Sequence, residues 1–183
     1  FKQKTAYEIS TRDWSSDVCS SDLALVNDLN VQKIYVRYFD VKGDISKVYP
    51  VAVIDFQEKP TVEVVPVVFI QTSAFDAIKN GRSDFCLSDS LFQLVSTISK
   101  ASGVTVKEIQ LDCDWNESCK NDFFEIIDNI RTTHPDLMIS STIRLHQVKY
   151  QERTGIPNVH SGTLMYYNMG GIGADTLNSI YDR

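Results

Sequence analysis

Two carboxylates stand two residues apart in the run Glu108-Ile109-Gln110-Leu111-Asp112-Cys113-Asp114-Trp115. Successive side chains of an extended strand alternate between faces, so Gln110, Asp112 and Asp114 share one face and Ile109, Leu111 and Cys113 the other. Paired carboxylates suit proton work, because mutual repulsion can keep one protonated while its neighbour is ionised. A later run repeats the pattern, with Thr142, Arg144 and His146 opposite Ile143 and Leu145. The next sets Tyr166 and Asn168 opposite Met165, Tyr167 and Met169. One guanidinium cannot offset two carboxylates, and unpaired charges are costly to bury. The surplus therefore points to a wet, ligand-binding surface. The competing structural reading is a salt-bridged plug, in which Arg144 neutralises Asp112 and His146 satisfies a backbone carbonyl.

These spacings define a candidate site. Asp112 and Asp114 take the catalytic places, and Arg37, Trp115, Arg144, His146, Tyr166 and Asn168 the substrate-binding ones. The flat, polar-edged ring of Trp115 suits a sugar face. On the first strand Arg37 and Asp40 have opposite parity, so strict alternation turns only one inward, and Arg37 is the choice.

The elements that must position these groups follow from periodicity. Runs rich in β-branched and aromatic residues at 33–41, 51–56, 62–70, 108–115, 137–146 and 163–169 predict strands. Between them, 88–101 places Leu91, Leu94, Val95 and Ile98 on one helical face, and 120–132 does so with Phe123, Phe124, Ile127 and Ile130. Gly103 and Pro135 supply the stop signals, and Ser118 is placed to cap the second helix. The segment 51–56, after a turn at Gly43, reads as an inserted hairpin arm. Strands alternating with helices predict an α/β fold with a parallel sheet. Sheets buried on both faces read as continuous hydrophobes, whereas these strands are polar at alternate positions. A barrel interior, open at the strands' C-terminal ends, accommodates that polarity. The prediction is a partial (β/α)8 TIM-type barrel. About five core strands do not close eight, and the last ten residues read as the start of a helix, so the barrel is expected to be truncated C-terminally.

Composition narrows the function. At 183 residues, 43% hydrophobic and 23% charged, the chain fits one globular domain, and a net charge of −6 without a basic stretch argues against nucleic acid. No apolar run approaches the about 18 residues of a membrane span. Cys19, Cys86, Cys113 and Cys119 form no Cys-x-x-Cys pair and no histidine stands at ligand spacing, so neither a metal nor another cofactor is expected. Gly170-Gly171-Ile172-Gly173 lacks the spacing of a dinucleotide loop, and no nucleophile elbow occurs.

Residues 1–23 behave differently from the remainder. They are polar and serine-rich without periodicity, and residues 2–22 resemble a translated sequencing-library adapter, with Ser10-Thr11-Arg12 in place of a variable index. Trp14, Cys19, Asp13, Asp17 and Asp22 are therefore set aside. The expected organisation is an artefactual or disordered leader at 1–23, with the N-terminal part of a barrel domain at 24–183.

Across residues 29–183, the stretches IQLDCDW, TIRLHQVKY and LMYYNMGG resemble a bacterial family of uncharacterised proteins, often envelope-associated, with a glycosidase-like barrel. More distantly, they resemble chitinase-type glycoside hydrolases, whose fourth strand carries Asp-Gly-x-Asp-x-Asp-x-Glu and whose sixth ends in Met-x-Tyr-Asp/Asn. Asp112 and Asp114 fall on the second and third acidic positions, and Met165, Tyr167 and Asn168 on the later motif. Two positions depart: Ile109-Gln110 replaces Asp-Gly, and Asn116 stands where that family has its acid, with Glu117 one residue late. The resemblance implies a glycoside hydrolase-like protein of the envelope or exterior, with a polysaccharide or glycoconjugate as ligand. The alternatives are a non-catalytic carbohydrate-binding barrel and a structural envelope protein.

Overall fold

The computed structural model describes residues 17–18, 26, 28–45, 47–81 and 86–165. Its strands are β1 (Asp17–Val18), β2 (Lys33–Asp44), β3 (Lys47–Val51), β4 (Asp55–Phe56), β5 (Glu63–Ile70), β6 (Glu108–Cys113), β7 (Met138–Arg144) and β8 (Ser161–Met165). Its helices are α1 (Thr72–Gly81), α2 (Leu87–Ala101), α3 (Lys120–Thr133), α4 (Leu145–Lys149) and α5 (Gln151–Thr154). Six strands form one sheet in the order β3-β2-β5-β6-β7-β8, parallel except for β3, which pairs antiparallel with β2. Apart from the β3 arm, spatial order follows chain order: helices connect β5 to β6, β6 to β7 and β7 to β8, while β2 reaches β5 through the β3 arm and β4. Among the described residues the sheet is open. β1 and β4 make a separate two-residue parallel pair.

The two faces of the sheet differ as alternation requires. Ile34, Val36, Val41, Val64, Val68, Ile70, Ile109, Leu111, Cys113 and Ile139 are buried on one face. They join a single hydrophobic cluster with Phe75 of α1, Leu91, Val95 and Ile98 of α2, and Phe123, Ile127 and Ile130 of α3. The opposite face carries Tyr35, Glu108, Gln110, Asp112, Ser140 and Thr142, and its polar groups are satisfied across strands. Glu108, 3% exposed, accepts from Ser140 Oγ at 2.6 Å, Lys33 Nζ at 3.0 Å and Tyr35 Oη at 3.3 Å. Lys33 also meets Glu63 at 2.9 Å, and Gln110 Nε2 donates to Thr163 Oγ1 at 2.8 Å. The Lys33 ammonium holds the Glu63 carboxyl below its ordinary value of 4.5, while burial and then the Glu108 charge push the Tyr35 phenol up.

The predicted helices stand, with α2 starting one residue earlier and α3 ending one residue later than expected. A hairpin arm is present, but it is Lys47–Val51 and not 51–56, and Gly43 is not its turn, because Asp44 already pairs with Lys47. Gly43 lies within β2 opposite Val48. Its role is close approach: a Cβ there would sit 2.1 Å from the Ser73 carbonyl oxygen and 2.8 Å from Ala74 Cα, both backbone atoms of α1. The α1 helix itself was not among the predicted elements.

Gly43→Ala is expected to cost about 2 kcal/mol, since only backbone movement can relieve the overlap, and urea unfolding measures the loss. The depressed Glu63 carboxyl makes its contribution to stability above about pH 4.5 and loses it as pH falls through the lower folded value. Glu63→Gln should therefore flatten the acid limb of the unfolding midpoint plotted against pH.

Candidate functional site

At the C-terminal ends of β6 and β7, the polar face of the sheet reaches solvent. Asp112 sits level with Phe69 of β5, and Phe69 with Asp40 of β2, so one row crosses three strands. Thr142 Oγ1 donates to Asp112 Oδ1, and Arg144 Nε donates to Asp114 Oδ1. The Asp114 side chain is 48% exposed and that of Arg144 25%, so their ion pair lies at the water boundary rather than in a sealed plug. Asp112, Asp114 and Arg144 are thus brought together as the alternation predicted, although Arg144 pairs with Asp114 and not with Asp112.

A buried amide fixes the two strand ends. The Gln147 carboxamide accepts from Arg144 N at 2.8 Å and donates to the Trp115 carbonyl at 3.2 Å. It therefore ties the residue after Asp114 to the backbone of Arg144. Gln147 also completes a capping arrangement at the start of α4, and its carbonyl accepts from Thr154 Oγ1 at 2.9 Å. Sequence reasoning did not single out Gln147. A glutamine three residues after a strand end, at the third position of a helical turn, is the available signal.

Three expected assignments change. Trp115 is no sugar platform: it is 1% exposed, stacks on Phe123 with ring centroids 5.2 Å apart, and donates its indole N–H to the Thr154 carbonyl at 3.0 Å. The strand has ended at Cys113, so alternation no longer governs residue 115. His146 is not on a strand either, since β7 stops at Arg144 and the chain turns into α4, where His146 is exposed. Arg37 does face the rim, but not to the exclusion of Asp40. The register shifts between Arg37 and Phe39, placing Arg37 level with Val67 and Asp40 level with Phe69, on one face. Arg37 Nε reaches Asp40 Oδ1 at 2.5 Å, and the guanidinium carbon lies 4.8 Å from the Phe69 ring centroid. Tyr166 and Asn168 fall outside the described residues.

The two residues beyond Trp115 are committed elsewhere. The Asn116 side-chain oxygen accepts from Ser118 N at 2.8 Å and Ser118 Oγ at 2.6 Å, and its carbonyl accepts from Lys120 N at 2.9 Å. Asn116 therefore closes the turn into α3, replacing the predicted cap at Ser118, and Cys119 is the N-cap with no side-chain bond. Glu117 pairs with Arg153 at 2.5 Å. Burial pushes the Cys113 thiol up, which suits its place on the apolar face and not nucleophilic work.

No family model and no curated protein matches the chain. Its fold does have solved counterparts. The spore cortex-lytic enzyme SleL of Bacillus cereus aligns with a TM-score of 0.58 at 13% identity, over 95% of this chain and 43% of that one. A chitinase from Chromobacterium violaceum aligns with a TM-score of 0.49 at 10% identity, over 84% of this chain and 54% of that one. The chain therefore spans less than half the length of SleL, and the likeness bears on fold.

A cavity of about 440 Å³ opens at the other end of the strands, lined by Val95, Lys100, Val106, His134 and Leu137. It lies on the helix-packed side and holds none of the candidate residues. The rim is the better candidate, because charged groups of both signs meet water there. Trp115→Phe should lower stability by about 1 to 3 kcal/mol, having removed ring volume and left the Thr154 carbonyl unpaired. Urea unfolding against wild type checks this.

Proposed function

We propose that residues 24–183 belong to a glycosidase-like β/α barrel acting on a polysaccharide or glycoconjugate, with Asp112 and Asp114 as its acid/base or oxocarbenium-stabilising groups. The observation that carries this reading is the carboxylate pair at the C-terminal ends of parallel strands, held by Thr142 and Arg144 at the water boundary. That end is where barrel enzymes place their sites. Glycoside cleavage needs one carboxyl group to protonate the departing oxygen and another to stabilise positive charge or activate water. Asp112 lies on β6 and Asp114 one residue past its end, and each is bonded by a residue of β7. Arg144 offsets the charge of Asp114, and a neutral hydroxyl faces Asp112, so the pair occupies two unlike environments. Arg37 and Arg144 supply donors for sugar hydroxyls, and Tyr166 and Asn168 would add to them. The fold counterpart that supports this reading is described as a spore cortex-lytic enzyme.

A second reading is a carbohydrate-binding barrel without catalysis, and Asn116 favours it. An amide cannot donate the required proton, and this one is spent on the turn into α3.

The test is reducing-end release from a panel of insoluble polysaccharides, including spore cortex and chitin, alongside pull-down of the same polymers. Under the first reading, Asp114→Asn and Asp112→Asn each reduce release at least about a hundredfold while polymer is still bound. Binding without release by the wild type selects the second reading. Neither binding nor release would remove both.

A further inference from the structure

The register shift in β2 assembles a second group of side chains beside the carboxylates. Asp40 is 1% exposed and bonds Arg37 Nε at 2.5 Å, so it serves Arg37 and does not itself meet a ligand. The guanidinium lies over the Phe69 ring, and the Arg37 side chain remains 52% exposed. A guanidinium held by a carboxylate at Nε and by a ring against its face has a fixed plane, and its outer edge is presented to water. Such an edge, with parallel N–H groups, matches the two oxygens of a carboxylate. Ordering it in advance also removes the rotamer cost of capture.

The spacing argues for which part of a ligand would use it. Asp112 is two strands from Asp40 in the same row, roughly 10 Å away at the usual strand separation. The guanidinium stands between them, over Phe69, so its positive charge offsets the repulsion between a ligand carboxylate and Asp112. One oligosaccharide can therefore touch both.

We propose that Arg37 is a specificity-determining residue that binds a carboxylate carried by a sugar unit neighbouring the one over Asp112 and Asp114. Asp40 is its positioning residue. The ligand class is thus an acidic glycan. This inference rests on the carbohydrate reading above and deepens it.

The experiment is an array of acidic glycans printed beside their carboxyl-reduced forms and beside phosphorylated neutral glycans, probed at two salt concentrations. Wild type should favour acidic over reduced forms by about tenfold or more, and less at high salt. Arg37→Gln should bring that ratio towards one. Arg37→Lys should keep only part of it, since an ammonium lacks the planar fork. Asp40→Asn should also lower the ratio, a readout that general loosening of the fold would not shift. Equal binding of reduced and acidic forms, or an undiminished preference in Arg37→Gln, overturns the proposal while leaving the carbohydrate reading intact. Preference for phosphorylated glycans overturns the carboxylate assignment. Failure to bind any glycan overturns the carbohydrate reading and this proposal with it.

Discussion

The polar face of the central sheet must satisfy its own hydrogen bonds, and most of the structure follows from how it does so. A strand of a parallel sheet is ordinarily apolar on both sides because helices cover both. Here β6 and β7 present Glu108, Gln110, Asp112, Ser140 and Thr142 on the side away from the helical cluster. Each finds its partner on an adjacent or nearby strand: Glu108 with Ser140, Lys33 and Tyr35, Gln110 with Thr163, and Asp112 with Thr142. Among the described residues, no buried side-chain nitrogen or oxygen lacks a partner. Cross-strand pairing of this kind fixes register, because a one-residue slip would drive Glu108 and Gln110 among the apolar helices.

The same face changes character along its length. Near the strands' N-terminal ends, Lys33 bridges Glu63 and Glu108, Lys107 also meets Glu63, and Glu108 is enclosed. Near the C-terminal ends the pairs open to water, with Asp114 and Arg37 each about half exposed. Burial makes the first group structural, since removing Lys33 would strand the enclosed Glu108 charge. Exposure makes the second group available for exchange, since a ligand group can replace water at modest cost.

Much of this was legible from alternation alone. The period of two in 108–113 and 140–144 correctly put Gln110 and Asp112 on the side of Ser140 and Thr142, because both segments are regular strands, and Asp114, one residue past β6, meets Arg144 across the strand ends. Helical spacing likewise located α2 and α3 almost to the residue. Alternation failed wherever the backbone left the strand. Beyond Cys113 the chain turns, and Trp115 enters the aromatic core with Phe123 and Phe124. Beyond Arg144 it winds into α4 and carries His146 off the sheet. In β2 the irregularity between Arg37 and Phe39 reversed the parity of Asp40, and nothing in the residue types announces a bulge. Asn116 was legible as a departure from the motif it resembles. Its structural reason, the bonds to Ser118, needed coordinates.

The β3 arm has a bearing on which edge the sheet leaves exposed. It pairs only with Asp40–Asp44, and the Tyr38 carbonyl is taken by Ile54 N at 2.7 Å, so the outer ladder of β2 is occupied along its upper part. Among the described residues, the outer edge of β2 is thus left open to strand pairing along 33–37, while the arm shields the stretch beside Arg37 and Asp40.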